Sequence, residues 1–408
     1  MRKTREAQGA MGEKLARSEV MLAACGIGLG HVGRLLPVAK GLKKKGLQPF
    51  FTTYGDSAYY SIREGFVTYK ERTLSYGSKP DGSLSLKETF RHLPQSLAAF
   101  LSQIRDEFCI MRIHRPSVVV SDSRLSSLIA AKLLGIPSIL VMHQFKVVWP
   151  IDERKFPSLR PLKRLLERIS LEVLGLGWDL AEVGLITDFP PPYTLCRPSV
   201  VVPEFLKHKV RYVGTVSPAV LRTERESARK TLGFEPSAKL LYFGVSGLPE
   251  ERRRLTENLL PLAKSASERG YSVLFSRGEP TGEARLTWDG NMAICDWLAD
   301  RRLAYAAADV FINVGGQTSV GEAFRYGLPM IIVPTPNHTE HDAIATSIQD
   351  MGVGEKITLE DLSPSRFEAT LAKVLGDHYA DLALIASKKV VQFDASSAVV
   401  QLVTGYTN

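Results

Sequence analysis

The sequence has few cysteines and no long apolar run. Its four cysteines stand far apart, with no CxxC pair and no neighbouring histidine cluster, so neither a disulfide framework nor a zinc site is indicated. We expect buried free thiols instead. A membrane-spanning helix needs about 18 apolar residues, and no such stretch occurs. The charged N-terminus also lacks the apolar core of a signal peptide. These absences predict a cytoplasmic protein without a membrane span.

Clustered carboxylates are missing as well. No D-x-D motif and no group of acidic residues with magnesium spacing accompanies the glycine loops described below. Magnesium is bound through such oxygen ligands. We therefore expect no metal and no cofactor.

What is present is the composition of a globular protein with a full core. Apolar residues make up 44% and charged residues 23% of the chain, which excludes disorder and coiled coil as the main architecture. A chain of 408 residues is too long for one ordinary domain. We expect two domains.

The positive charge is concentrated in one half of the chain. The formal net charge is +9, with +13 in residues 1–214 and −4 in residues 215–408. An excess of positive charge attracts anionic partners such as nucleic acid, an acidic membrane or a phosphate-bearing substrate. Charge alone leaves these three open.

Apolar runs alternate with helical patterns in both halves. This alternation of strand and helix patterns predicts an α/β protein with two Rossmann-like parallel sheets. We expect domains at residues 1–214 and 215–385, and a C-terminal helix at 386–408 that packs back on the first domain. The predicted strands are residues 20–25, 47–55, 117–121, 137–142, 183–187, 211–215, 239–245, 271–276, 293–297, 309–314 and 330–335.

The first glycine cluster lies between a predicted strand and a helix. Gly28, Gly30 and Gly33 satisfy the dinucleotide fingerprint, and Asp56 is the candidate ribose ligand of that interpretation. His31 and Arg34 count against NAD, because a dinucleotide loop usually keeps small residues there. A stronger candidate for anion binding lies in the second half.

That second loop follows the apolar run 309–314. Gly315 and Gly316 precede Thr318 and Ser319, so backbone and hydroxyl donors surround a helix start that suits a diphosphate. Glu322 leaves two interpretations open. It either completes a capping box with Ser319 or accepts both ribose hydroxyls of a nucleotide.

A longer pattern extends from this loop. The signature G-G-x-x-S-x-x-E-A-x-x-x-G-x-P, followed by a strand and a proline, is matched in order by Gly315, Gly316, Ser319, Glu322, Ala323, Gly327, Pro329 and Pro334. In this the chain resembles the inverting GT-B glycosyltransferases, in particular the branch of the peptidoglycan lipid-linked N-acetylglucosaminyltransferase and its archaeal relatives. Their first-strand loop, G-x-G-H-x-x-R, is matched by Gly28, Gly30, His31 and Arg34.

The resemblance implies two Rossmann-like domains facing each other across a cleft, and a UDP-sugar donor. The family's D/E-Q pair is Glu340 followed by His341 here, and Ile344 replaces the usual asparagine, so the sugar is less firmly implied than the nucleotide. The donor-binding residues implied are Gly30, Arg34, Ser246, Gly247, Arg277, Trp297, Gly315, Gly316, Gln317, Thr318, Ser319, Glu322, Glu340 and His341.

Two residues compete for the role of catalytic base. His31 stands at a helix N-terminus, which favours the neutral imidazole, although a structural role is the alternative. Asp122 ends a predicted parallel strand, where ligands of open α/β sheets bind, and its alternative role is to cap the helix at 125–134. His143 ends the next strand and is the candidate acceptor-binding residue.

The segment 156–174 predicts a basic amphipathic helix. Leucines and other apolar residues recur there at helical spacing. Such a helix is typical of anionic membrane surfaces, and the alternative is an ordinary helix with a solvated basic face. The candidate membrane contacts are Arg160, Lys163, Arg164 and Arg168.

Together these patterns favour an inverting, metal-independent glycosyltransferase. It would move a sugar, with N-acetylglucosamine as first choice, from a UDP-sugar to a lipid-linked or other glycan at the inner face of the cell membrane, without a nucleic-acid partner. Two alternatives share the fold: a UDP-N-acetylglucosamine 2-epimerase-like enzyme and a non-catalytic nucleotide-sugar-binding subunit. An NAD enzyme is the least favoured interpretation.

Overall fold

The computed structural model describes residues 19–74, 92–149, 151, 156–336 and 338–407. Two α/β units account for these residues, and each is built on a seven-stranded sheet. The strands of the first sheet are β1 (Glu19–Ala24), β2 (Gln48–Thr53), β3 (Thr68–Lys70), β4 (Val118–Asp122), β5 (Ser138–Met142), β6 (Val183–Ile186) and β7 (Val210–Tyr212). Their order is β3-β2-β1-β4-β5-β6-β7, and all neighbours are parallel.

The second sheet repeats this plan. Its strands are β8 (Leu240–Gly244), β9 (Ser272–Ser276), β10 (Thr287–Asp289), β11 (Met292–Cys295), β12 (Val310–Asn313), β13 (Met330–Ile332) and β14 (Gly354–Lys356). They lie in the order β10-β11-β9-β8-β12-β13-β14, and only the pair β10 and β11 among them is antiparallel. The predicted fold, two Rossmann-like α/β domains, is confirmed.

Helices connect the strands in both units. Those of the first unit are α1 (Gly30–Lys44), α2 (Asp56–Arg63), α3 (Leu93–His114), α4 (Leu125–Leu134) and α5 (Arg160–Trp178). Those that follow in the chain are α6 (Arg225–Leu232), α7 (Pro249–Glu268), α8 (Arg301–Ala307), α9 (Gln317–Arg325), α10 (Thr339–Asp350), α11 (Pro364–Val374), α12 (Asp377–Val390) and α13 (Ala395–Thr407). None of the helices in the described ranges is long and apolar enough to cross a bilayer.

The strand order places both glycine loops at equivalent positions. β1 pairs with β2 on one side and β4 on the other, and β8 pairs with β9 and β12 in the same way. Ligands of open parallel sheets bind at the carboxyl ends of the strands where the order reverses. The loops after β1, β4, β8 and β12 all lie at these two points.

The final helices are divided between the two units. Helix α12 contacts α9 of the second unit, whereas α13 packs on α1, with Val399 and Val403 in the core of the first. The return to the first unit thus begins with α13, later than the predicted boundary at 386. The chain passes between the units twice, near Gly214 and near Phe393, and these two crossings touch. A Cβ on Gly214 would lie 2.5 Å from Phe393 Cβ.

The cysteines fit the expectation with one exception. Cys25, Cys196 and Cys295 are buried free thiols, whereas Cys109 is exposed. The expectation of buried thiols is therefore wrong for Cys109, which lies on the outer side of α3.

The close approach of α13 and α1 gives a stability prediction. A Cβ on Gly41 of α1 would lie 2.8 Å from Val400 Cγ2, so there is no room for a side chain. Gly41→Leu should lower the free energy of unfolding by about 1–3 kcal/mol through overpacking, measured by urea denaturation. Adding Val400→Ala should restore part of the loss.

The matched control is Gly405→Leu in α13. A Cβ there would meet no atom of the described residues within 4 Å, so this change should not lower stability. Equal losses at both glycines, or no recovery in the double variant, would contradict the packing of α13 on α1.

Candidate active site

The carboxyl ends of the two sheets face each other across a cleft. Thr318 Oγ1 donates a hydrogen bond to the carbonyl oxygen of Gly30 at 3.5 Å, so the two glycine loops are in contact. The cavity between the units has a volume of about 1840 Å³. The predicted residues that line it are Gly30, His31, Arg34, His143, Ser246, Gly247, Trp297, Gly316, Gln317, Thr318, Ser319, Glu340 and His341.

His31, Arg34 and Asp122 form one hydrogen-bonded cluster. The buried Asp122 accepts hydrogen bonds from Arg34 Nε at 2.9 Å and Arg34 Nη2 at 2.7 Å, and His31 Nδ1 lies 2.8 Å from its Oδ1. The alternative that Asp122 caps α4 is wrong, because Arg124 holds the N-cap position and no side chain caps that helix. The two rival bases are thus partners, with His31 in the wall of the cavity and Asp122 behind it.

The charges of this cluster suit a histidine base. Burial lowers the pKa of His31, and Asp122 opposes this effect only in part. Burial alone would raise the pKa of Asp122, but Arg34 and His31 outweigh it and hold that pKa well below its usual range. Asp122 is therefore ionised and can accept a hydrogen bond from His31 when Nδ1 carries the proton; in that tautomer Nε2 of the neutral imidazole can take up a proton.

Asn313 shapes the loop after β12. Its Oδ1 accepts hydrogen bonds from the N–H groups of Gly315 at 2.7 Å and Gly316 at 3.3 Å, and its Nδ2 donates to the Gly244 carbonyl at 2.9 Å. Gly316 is the N-cap of α9, and a Cβ there would lie 3.5 Å from Ser246 Oγ. The first helical N–H groups, which have no carbonyl partner within the helix and suit an anion, belong to Gln317, Thr318 and Ser319.

Glu322 does not form a capping box. Its Oε1 accepts a hydrogen bond from Arg301 Nη2 at 2.6 Å, and its Oε2 is buried with no hydrogen-bond partner in the described part of the chain. The capping interpretation of Glu322 with Ser319 is therefore wrong. Arg301 lines the cavity and was not predicted, because nothing local in the sequence indicates its contact with Glu322.

Helix α2 docks on the second unit through one face. Asp56, Tyr60 and Arg63 are spaced so that they share one side of the helix. Tyr60 meets Trp297 edge-on with ring centroids 4.7 Å apart, and Arg63 Nη1 donates to two carbonyl oxygens in the segment 280–282 at 2.6 and 2.8 Å. The first unit therefore covers Trp297. Tyr60 lines the cavity and Arg63 supports this interdomain contact, and the sequence revealed neither role.

Asp56 has a different role from the one in the dinucleotide interpretation. Its Oδ2 accepts hydrogen bonds from both Nη1 and Nη2 of Arg252 at 3.0 Å, and Arg252 Nη1 also donates to the Gly247 carbonyl at 3.0 Å. The alternative in which Asp56 binds the ribose of NAD is wrong, because this carboxylate joins the two units beside the loop after β8.

A second interdomain contact lies at the other end of the cleft. His143 Nε2 is 3.1 Å from Glu340 Oε1, and its buried Nδ1 has no hydrogen-bond partner among the residues that the structure describes. Burial alone would raise the pKa of Glu340, but His143 and two nearby histidines hold it well below its usual range. His341 stacks on His338 with ring centroids 3.6 Å apart, and burial followed by His338 lowers its pKa. These side chains form a polar end to the cavity.

Arg277 is not brought to the cavity. Its Nη1 donates to Asp296 Oδ1 at 2.8 Å, and its side chain is 42% exposed. The structure thus places the predicted donor-binding Arg277 at the outer rim, where Asp296 already neutralises its charge.

Comparison with known proteins identifies the class. Residues 263–399 match the glycosyltransferase family 28 C-terminal domain. An uncharacterized glycosyltransferase of Methanosarcina acetivorans is 24% identical over 344 residues, which are 83% of this chain and 84% of that protein. The chain is a glycosyltransferase of the GT-B fold.

Solved glycosyltransferases show the same fold. MurG of Acinetobacter baumannii superposes with a TM-score of 0.56 at 17% identity, over 95% of this chain and 99% of that one. The calicheamicin glycosyltransferase CalG4 gives a TM-score of 0.63 at 16% identity, over 96% and 98%. In sequence, the UDP-N-acetylglucosamine--N-acetylmuramyl-(pentapeptide) pyrophosphoryl-undecaprenol N-acetylglucosamine transferase of Thermus thermophilus is 26% identical, over 77% of this chain and 79% of its own.

Helix α5 of this glycosyltransferase carries an exposed apolar stripe. Leu162, Leu165, Ile169 and Val173 all point to solvent. The arginines among the predicted membrane contacts, Arg160, Arg164 and Arg168, are exposed beside it. Lys163 differs from these arginines. Its side chain is only 14% exposed, and its Nζ lies 3.9 Å from Glu167 Oε1.

The two glycines of the second loop give a paired prediction. Gly315 has φ +93°, and a Cβ there would lie 2.9 Å from the His341 carbonyl oxygen. Gly315→Ala should therefore cost about 1–3 kcal/mol of stability through backbone strain. Gly316 has φ −65°, so Gly316→Ala should stay within about 0.5 kcal/mol of the parent.

Thermal unfolding of the two purified variants measures the difference. A Gly316→Ala variant that loses as much stability as Gly315→Ala would show that the loop has another conformation in solution.

Proposed function

We propose that this glycosyltransferase moves N-acetylglucosamine from UDP-N-acetylglucosamine to a hydroxyl of a lipid-linked glycan at an anionic membrane surface, with inversion at the anomeric carbon. The observation that carries the proposal is the position of His31, which faces the N-terminus of α9 across the cleft and is backed by Asp122. A base and an anion site on opposite walls suit a single displacement.

The reaction follows from this arrangement. As the acceptor oxygen bonds to the anomeric carbon, its proton passes to His31 Nε2, and the bond from that carbon to the UDP oxygen breaks. Asp122 stabilises the imidazolium that forms. Because the base and the leaving group stand on opposite faces of the sugar, attack from the base side inverts the anomeric configuration.

The second unit is proposed to stabilise the departing UDP. Ser246 and Thr318 place hydroxyl groups beside the N–H groups that open α9, and the partial positive charge of a helix N-terminus favours a diphosphate. Glu322 is buried directly behind Arg301 and Tyr305, which line the cavity, and its proposed role is to accept a ribose hydroxyl while Arg301 holds Oε1 in place.

The acceptor side is proposed to be reached from the membrane. An apolar wall next to His143 continues into α5 through Phe145, Val148, Leu174 and Trp178, which all line the cavity. The outer side of α5 presents the apolar stripe and the three exposed arginines. This continuity lets a lipid-anchored glycan lie between a membrane-bound α5 and the base.

A donor screen tests the central claim. UDP-, GDP- and dTDP-sugars are added to the purified chain, and thermal stabilisation and donor hydrolysis are recorded. A ligand at 100 times its Kd stabilises by about 2.7 kcal/mol. UDP-N-acetylglucosamine should give the largest shift, and a larger shift with GDP- or dTDP-sugars would overturn the donor assignment.

The role of Glu322 is tested by pairing a protein change with a ligand change. Glu322→Ala should weaken UDP binding by about 1–3 kcal/mol, since a charged acceptor is lost from buried hydroxyl groups. In calorimetry the parent should prefer UDP to 2′-deoxy-UDP, and the variant should lose most of that preference. If the variant loses the same affinity for UDP and for 2′-deoxy-UDP, Glu322 has a structural role and does not bind the ribose.

Membrane binding is tested on vesicles of phosphatidylglycerol and phosphatidylcholine. Arg160→Gln, Arg164→Gln and Arg168→Gln together should cost about 3 kcal/mol of binding, at about 1 kcal/mol for each residue near the surface. The difference should shrink in high salt, where exposed charges are screened.

The control for that experiment removes the same charge elsewhere. Lys230, Lys388 and Lys389 are exposed on helices of the second unit, and their combined change to Gln should leave vesicle binding unaltered. If both triple variants bind like the parent, or if the parent does not bind, the lipid-linked acceptor loses its support.

A further inference from the structure

Arg34 is buried and its guanidinium is committed to protein groups. It is 2% exposed and grips both oxygens of Asp122, with Nε and Nη2 as donors. Nη2 also lies 2.8 Å from His31 Nδ1. A guanidinium held in this way is not available as a diphosphate ligand, although the resemblance implied that role.

The remaining nitrogen of Arg34 reaches the other unit. Its Nη1 donates to Gln317 Oε1 at 3.5 Å, and Gln317 Nε2 donates to the Thr187 carbonyl oxygen in the first unit. Gln317 is the first residue of α9, at the proposed diphosphate site. The Gln317 side chain of the second unit is thus inserted between Arg34 and the Thr187 carbonyl of the first.

We propose that Arg34 is a positioning residue that sets the basicity of His31 through Asp122. Gln317, which contacts both Arg34 and Thr187, makes this basicity depend on the contact between the two domains. The inference rests on the proposed function only in that His31 is the base. It assigns Arg34 and Gln317 a task different from donor binding.

The physical reason is a balance of charges around one imidazole. Burial has the largest effect and lowers the pKa of His31. Among the charged groups, Asp122 favours the protonated form, whereas Arg34 and the more distant His143 favour the neutral form. Glu340 also faces this group, since it is paired with His143 and acts on Arg34. Without Arg34, the full charge of Asp122 would act on His31 and keep it protonated to higher pH, where it cannot serve as a base.

Gln317 has the matching geometry for a link between the units. Its amide is neutral, so it satisfies Arg34 without drawing the guanidinium away from Asp122. A carboxylate at the same position would compete with Asp122 for Arg34. This competition is possible only while α9 lies against the first unit, because Gln317 belongs to α9 and Arg34 belongs to α1.

The experiment measures the pKa of His31 directly. The eight histidines are labelled with ¹³C at Cε1, and the His31 signal is the one lost in His31→Gln. NMR titration of the full chain then compares single variants. Asp122→Asn should lower the pKa of His31 and Arg34→Gln should raise it, each by about one unit, because they remove charges of opposite sign at hydrogen-bond distance.

Three further variants serve as controls. Arg34→Lys keeps the charge and should remain near the parent. The double variant Arg34→Gln with Asp122→Asn leaves no unpaired buried charge, so it tests the balance even if Arg34→Gln does not fold, and its His31 pKa should lie between those of the single variants. Gln317→Glu should raise the pKa as Arg34→Gln does, whereas Gln317→Ala should not.

The outcomes test the role of Arg34 and the role of Gln317 separately. Shifts of the same sign in Asp122→Asn and Arg34→Gln, or a double variant outside the single values, would overturn the role of Arg34, and an unmoved pKa in Gln317→Glu would overturn the link between domains. The titration uses no substrate. A chain that shows the opposing shifts but binds no UDP would refute the proposed function and leave this inference standing.

Discussion

Asp122 is a carboxylate without contact to water, and a buried charge of this kind has to be paired to be tolerated. Arg34 supplies the pairing charge with two hydrogen bonds, and His31 takes the remaining side. The first turns of α1, which carry His31 and Arg34, are thereby fixed to the end of β4 at the point where the strand order reverses. The orientation of His31, the shape of the first glycine loop and the contact with Gln317 all depend on this one pairing.

The interdomain contacts surround this centre. Asp56 and Arg252 join the loops at one edge, Tyr60 packs on Trp297, and His143 meets Glu340 at the opposite edge. Each contact uses a side chain from the carboxyl end of a sheet or from a helix that starts there. The groups that bring the domains together are therefore the same groups that surround the cavity. The contact between the domains and the shape of the cavity thus depend on one set of residues.

Much of the fold was predictable because buried parallel strands are written as continuous apolar runs. Nearly all predicted strands lie within a residue or two of an observed strand. The strands that escaped prediction, β3, β10 and β14, are three-residue edge strands such as Thr287–Asp289, which is exposed throughout and leaves no apolar run. The glycine loops were located for a related reason, since turns and helix starts are local in sequence.

The rest of the site depends on contacts between distant parts of the chain. His31 and Asp122 are 91 residues apart, so their pairing could not be read locally, and they were weighed as rivals. The spacing of Ser319 and Glu322 fits a capping box, yet the helix starts at Gln317 and Glu322 bonds to Arg301 instead. Local patterns indicate which residues are available, whereas tertiary packing decides which of them meet.

The touching crossings at Gly214 and Phe393 have a mechanical consequence. Two covalent links join the domains, and they run side by side, with Ser396 Oγ donating to the Ser217 carbonyl at 2.7 Å. Two adjacent links constrain the relative position of the domains at a single place. Because both links leave the domains at this place, sliding of one domain along the other would stretch one link against the other. The two links therefore help to keep His31 of the first domain in register with the N-terminus of α9 in the second.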